Sequence, residues 1–221
     1  MVMLEHWTAS INGPSWFYGF DIVFLALFVI INLIIYKVGV KAYGITRDRK
    51  YKNFSLAFFF ISLAYLILGL SNLALYTEFY DGVVKGINFA NWFYLAYIFF
   101  MLVGYSVLLL VSMKVRSKKL ALLMFGYMLL FIAFAYQYYL KFHLVALMML
   151  VFIAYQFWEN YLRKKSFNSG LVFVTFYLLV MAEAMFLLQV WMPVLFVVAF
   201  LLQLTGYLAI LTMYVRVLKN G

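Results

Sequence analysis

The chain has 221 residues, of which 69% are hydrophobic, 22% aromatic and 11% charged. A water-soluble domain carries about 25% charged and about 45–50% apolar residues, so a soluble enzyme, a disordered chain and a nucleic-acid-binding domain are excluded, and the solvent for most of this chain is lipid. The formal charge of +10 is therefore read first as a topology signal and not as a nucleic-acid footprint.

The N-terminal stretch MVMLEHWTASINGPSWFYGF lacks a basic n-region and a short apolar core, so it is not read as a cleavable signal peptide. Seven apolar runs follow: 17–40, 54–77, 92–113, 119–140, 142–161, 169–191 and 194–215. Each approaches or exceeds the roughly 20 residues that cross a bilayer as a helix. The reading is an all-α polytopic membrane protein, a seven-transmembrane-helix bundle forming a single domain over 1–221. Trp16, Trp92, Trp158 and Trp191 stand at run ends, as an aromatic belt requires. The sixth joint is only Met192-Pro193, which makes helices six and seven antiparallel neighbours, since proline cannot continue the sixth.

The joints carry the charge. Lys37, Lys41, Arg47, Arg49, Lys50 and Lys52 follow the first run; Lys114, Arg116, Lys118 and Lys119 follow the third. Arg163, Lys164 and Lys165 follow the fifth, and Arg216 and Lys219 the seventh. Only Lys85 and Lys141 fall on the other side. The positive-inside rule then puts the N-terminus outside and the C-terminus in the cytoplasm of a cell membrane. Attraction of the basic joints to the anionic inner leaflet is a secondary expectation.

A shift of 115 residues aligns Lys50 with Lys165, Asn53 with Asn168, Leu56 with Leu171, Phe58 with Phe173 and Leu63 with Leu178. Both matches follow a basic joint. They suggest a 3+1+3 layout in which helices one to three recur, in parallel, as five to seven. Chance similarity between apolar helices is the competing account.

The layout resembles several seven-helix families. Microbial rhodopsins need a lysine in the middle of the last helix, and VLFVVAFLLQLTGYLAILTMYV has none, so no retinal is expected. SWEET-type sugar transporters are 3+1+3 but carry a proline-glutamine motif, absent here. The whole chain is most similar to the seven-helix sensor modules that precede histidine kinases in prokaryotes. These are aromatic-rich, with short loops and a basic joint leading into a second helix like FSLAFFFISLAYLI. The resemblance implies a sensor with a separate cytoplasmic signalling partner.

Polar side chains in hydrocarbon are costly and are candidate functional groups. Asp21 lies roughly 6 Å below the outer boundary and Glu183 roughly 20 Å above the inner one, at 1.5 Å per residue. Asn72 and Gln137 come out near the outer edge, and Gln203 falls near the midplane. Two readings fit these groups. Asp21 and Glu183 are hydrogen-bonded packing residues, or Asp21, Asn72, Glu183, Gln203 and Gln137 belong to an outer-half pocket that binds a cation or polar ligand. A proton relay calls for more acids or a mid-membrane histidine, and neither His6 nor His143 is placed there. Glu159 and Arg163, four apart, read as one ion pair on a surface-facing helix end.

With no cysteine and two histidines, no disulfide, metal site or other cofactor is expected. Phosphate loops, HExxH and a nucleophile elbow are absent from the sequence, so no enzyme is expected. The functional expectation is a non-enzymatic sensor, receptor or membrane subunit. The alternative is a small-solute or ion transporter built from parallel three-helix repeats.

Overall fold

The computed structural model describes residues 13–17, 19–81, 85–113, 122, 126 and 138–219. It is all-α, with six long helices among the described residues: α1 Phe20–Thr46, α2 Arg49–Asp81, α3 Lys85–Ser112, α4 Tyr138–Lys164, α5 Phe167–Leu188 and α6 Val194–Lys219. All six are long and apolar enough to cross a membrane. The protein is a multi-pass membrane protein.

The expected seven-helix bundle is thus corrected to six helices among the described residues. The sequence reading divides 119–140 from 142–161 at Lys141, treating one charge as a span end. Instead α4 begins at Tyr138 and continues through Lys141 to Lys164. Lysine is a good helix former, and its long stem can carry the ammonium group to the membrane surface, so one lysine ends neither a helix nor a span. Residues 138–140 therefore belong to α4. The rest of 119–140, apart from Leu122 and Gly126, lies outside the described residues, as do Lys114, Arg116, Lys118, Lys119 and Gln137. The linker helix of the 3+1+3 layout falls on this stretch and so lies outside the described residues, except that Leu122 and Gly126 are helical.

The helices also overrun their expected ends. The joint expected over 41–53 reduces to Arg47 and Asp48. The apolar run sets what is buried in lipid, but the helix continues for as long as good helix formers follow. Arg47 ends α1 in the left-handed conformation (φ 56°), its N–H donating to Tyr43 O at 2.8 Å. Asp48 Oδ1 then accepts from the Lys50 N–H at 2.9 Å. Lys165 ends α4 in the same conformation (φ 48°), its N–H donating to Tyr161 O at 2.7 Å. Ser166 caps α5 by accepting from the Ser169 N–H at 3.3 Å. Pro14 and Pro193 both lie outside the helices, so none of the six carries a proline kink.

Packing divides the chain into two compact units, Gly19–Val107 and Met1–Tyr18 with Leu108–Gly221. In the first, α1 packs along α2. Phe28 meets Tyr65, with ring centres 4.9 Å apart, and the Ser62 hydroxyl crosses to donate to Val29 O at 3.0 Å. Gly104 brings α3 against α2: a methyl group there would lie 2.7 Å from Ile61 Cγ1 and 3.1 Å from Ala57 O. Such close backbone approach is how small residues let membrane helices gain dispersion contacts, since apolar side chains alone gain nothing by leaving lipid.

In the second unit α5 packs against both α4 and α6. The α5–α6 joint, expected at Met192-Pro193, spans residues 189–193, and the two helices are packed neighbours as expected. A methyl group on Gly206 of α6 would lie 3.3 Å from Thr175 O and 3.5 Å from Leu179 Cδ2 of α5. Arg216 stacks its guanidinium 4.2 Å over the Phe167 ring, tying the end of α6 to the start of α5. Exposed Trp158 and Trp191 fit the aromatic belt. The Glu159–Arg163 pair forms at 3.5 Å with Arg163 largely exposed, so it adds little.

Candidate functional site

Asp21 sits in the first turn of α1, where the unpaired N–H groups of a helix favour an anion. Its Oδ1 accepts from the Gly19 N–H at 2.9 Å. Its Oδ2 accepts from Asn72 Nδ2, on α2, at 2.8 Å. Two of the expected site residues are therefore brought together inside the first unit, as an interhelical tie. Asn32, fully buried halfway along α1, donates to Phe28 O of its own helix at 2.8 Å. Its Oδ1 has no hydrogen-bond partner among the described residues.

Glu183 and Gln203 belong to the second unit and are both buried. Glu183 of α5 meets His143 of α4: Nδ1 and Oε2 are 2.6 Å apart, with the side chains only 5% and 2% exposed. Sequence reasoning missed His143. The available signal was its rarity, as one of two histidines in the chain, and its place on the helix joined to the Glu183 helix by the tight basic joint.

Aromatic rings surround the pair. The His143 ring stacks on Phe186 (5.0 Å, 29°) and lies 4.3 Å from the Tyr139 ring and 4.9 Å from Phe142. Phe186 in turn meets Phe196 and Phe200 of α6. Phe17 of the short Ser15–Phe17 turn packs edge-on against these two α6 rings. Above the pair, Tyr139 OH donates to Phe186 O at 3.3 Å and accepts from Gln189 Nε2. Gln189 is fully buried, and its Oε1 has no partner among the described residues.

A carboxyl and an imidazole in direct contact share protons. With one proton between them the pair is neutral overall, either as carboxylate and imidazolium or as carboxylic acid and imidazole. Adding or removing a proton leaves a net charge in an apolar surround, where an uncompensated charge is expensive. No group of three or more metal-ligating side chains occurs among the described residues.

No protein-family model, curated protein or solved structure matches this chain.

Proposed function

We propose that the protein is a non-enzymatic sensor or receptor of the cell membrane, with the buried His143–Glu183 pair as its input site. The observation that carries this reading is the 2.6 Å contact itself. A buried acid costs up to roughly 2.5–3.5 kcal/mol on insertion scales, the full amount at a helix centre and less toward its ends, whereas an average interhelical hydrogen bond in a membrane returns about 0.6 kcal/mol. Stability alone is a weak reason to hold such a pair. His143 and Glu183 lie toward the ends of α4 and α5 remote from the basic joint at Arg163, Lys164 and Lys165. By the positive-inside rule that joint faces the cytoplasm, and the pair then lies toward the outside. A change at the pair would alter the α4–α5 contact and reach the joint through two unbroken helices. There the basic residues are suited to anionic inner-leaflet lipids and to a separate cytoplasmic partner.

Transport is the second reading. It is favoured by the burial of two amides about halfway along their helices, Asn32 in α1 and Gln203 in α6. Against it, transporters commonly break a helix at such depth, and α1, α2, α4, α5 and α6 each run unbroken through their spans.

Proteoliposomes containing a trapped pH dye, under a potassium diffusion potential set with valinomycin, separate the two. The sensor reading expects proton entry at the rate of protein-free vesicles. A potential-driven proton flux that disappears in Glu183→Gln would replace it with transport.

A further inference from the structure

We propose that the chain is two copies of one three-helix module, α1–α3 and α4–α6, and that the His143–Glu183 pair, standing where the first copy has Leu25 and Tyr65, is a proton-binding site. The ligand assignment rests on the reading of the pair as the input site.

The two modules share a register of 118 residues over their first two helices. Helices α1 and α4 each have 27 residues. Arg47 and Lys165, 118 apart, are the two non-glycine residues with positive φ among the described residues, and each donates its N–H to a tyrosine carbonyl. Asp48 and Ser166, again 118 apart, accept from a backbone N–H at the start of the next helix. Leu25, Phe28 and Ile35 are buried in α1, as are His143, Ala146 and Ile153 in α4. Ala57, Phe58 and Ile61 in α2 correspond in the same way to Thr175, Phe176 and Leu179 in α5.

A common helical period can align buried stripes by coincidence, but it cannot align contacts with a third helix. Gly104 approaches Ala57 O and Ile61. Adding 118 to those two numbers gives Thr175 and Leu179, the residues that Gly206 approaches. Gly104 and Gly206 are each followed by a fully buried tyrosine, Tyr105 and Tyr207. The sequence match at 115 pairs buried Phe58 with part-exposed Phe173; the structural register pairs it with Phe176, and both are fully buried.

The first module is then an internal control. Its architecture is built with a leucine and a tyrosine where the second has histidine and glutamate, so the shared fold does not require the polar pair. What the pair adds is proton chemistry. A proton from the aqueous phase binds the contact and turns the neutral pair into a buried cation; its release restores the neutral pair. Tyr139, on α4, is an ionisable group beside the pair. From α6 and the Ser15–Phe17 turn the neighbours are phenylalanine rings. Lys141 is two positions from His143 and so falls on a different helix face.

The test uses the full chain in nanodiscs with His6→Gln, which leaves His143 as its one histidine. Imidazole 15N shifts are followed from pH 4 to 9. The proposal expects the shifts to change with pH, and the change to differ in Glu183→Gln. Shifts that stay constant over the range, or a change indifferent to Glu183→Gln, overturn the proton site and leave the sensor reading in need of another ligand. A titrating pair in proteoliposomes that conduct protons overturns the sensor reading instead. The double variant His143→Leu, Glu183→Tyr places the first module's residues in the second. It is expected to fold and to show no proton uptake attributable to the pair. If it fails to fold while Glu183→Gln folds, the two places are not interchangeable and the equivalence of the modules fails.

Discussion

Buried partners are worth most when one of them is removed. Glu183→Ala leaves the His143 Nδ1 facing an apolar surround and is expected to cost about 1–3 kcal/mol. Glu183→Gln retains an acceptor of similar shape and is expected to cost less than about 1 kcal/mol. Thermal unfolding in detergent distinguishes them, and equal losses would mean that the contact contributes nothing. Asn72→Leu should cost less than Glu183→Ala, about 0.6 kcal/mol, because Asp21 retains the Gly19 N–H and the first turn of α1. The acids were legible as chemistry: Asp21 and Glu183 stand out in apolar runs, and Asn72 was placed with them. Their partners were only half legible. Depth counted along separate spans does not say which helices touch, and His143 becomes the neighbour of Glu183 only through the packing of α4 on α5.

Glycines carry the helix contacts, and their tolerance should follow the space they leave. Gly104→Ala forces a methyl group toward a backbone carbonyl at 3.1 Å and a side chain at 2.7 Å; overpacking of this kind costs about 1–3 kcal/mol. Gly206→Ala, with its nearest atom at 3.3 Å, should cost less. At Gly69 the nearest atom is Leu25 Cβ at 3.8 Å, an ordinary contact, so alanine should be neutral or stabilising by up to about 1 kcal/mol through helix propensity. Detergent unfolding of the three variants checks the order, and Gly104→Ala as the mildest would contradict the α2–α3 packing. Ser166→Ala removes the cap of α5 and should cost about 1 kcal/mol. Six apolar runs were readable as the cores of helices, because burial in lipid leaves an unmistakable composition. Their ends were not, because Lys41, Arg163 and Lys164 are good helix formers as well as span markers.

For the molecule, composition was decisive about the solvent and weaker about the count. An apolar run between two lysines reads as a span, yet Lys141 lies inside α4, and six helices rather than seven stand among the described residues. The proposed repeat was visible only faintly in sequence, since its register of 118 differs by three residues from the sequence match at 115, and the marks that support it are backbone caps and glycine contacts. The proposed function requires an orientation in which the α4–α5 hairpin crosses with its basic joint in the cytoplasm and the His143–Glu183 end toward the outside. The absence of cysteine makes this directly measurable with single-cysteine variants and a membrane-impermeant maleimide on intact cells. Trp191→Cys, at an exposed position just beyond α5, is expected to be labelled without permeabilisation. Lys164→Cys, exposed beside the basic joint, is expected to be labelled only after it. Labelling of Lys164→Cys in intact cells, with Trp191→Cys protected, would contradict the account.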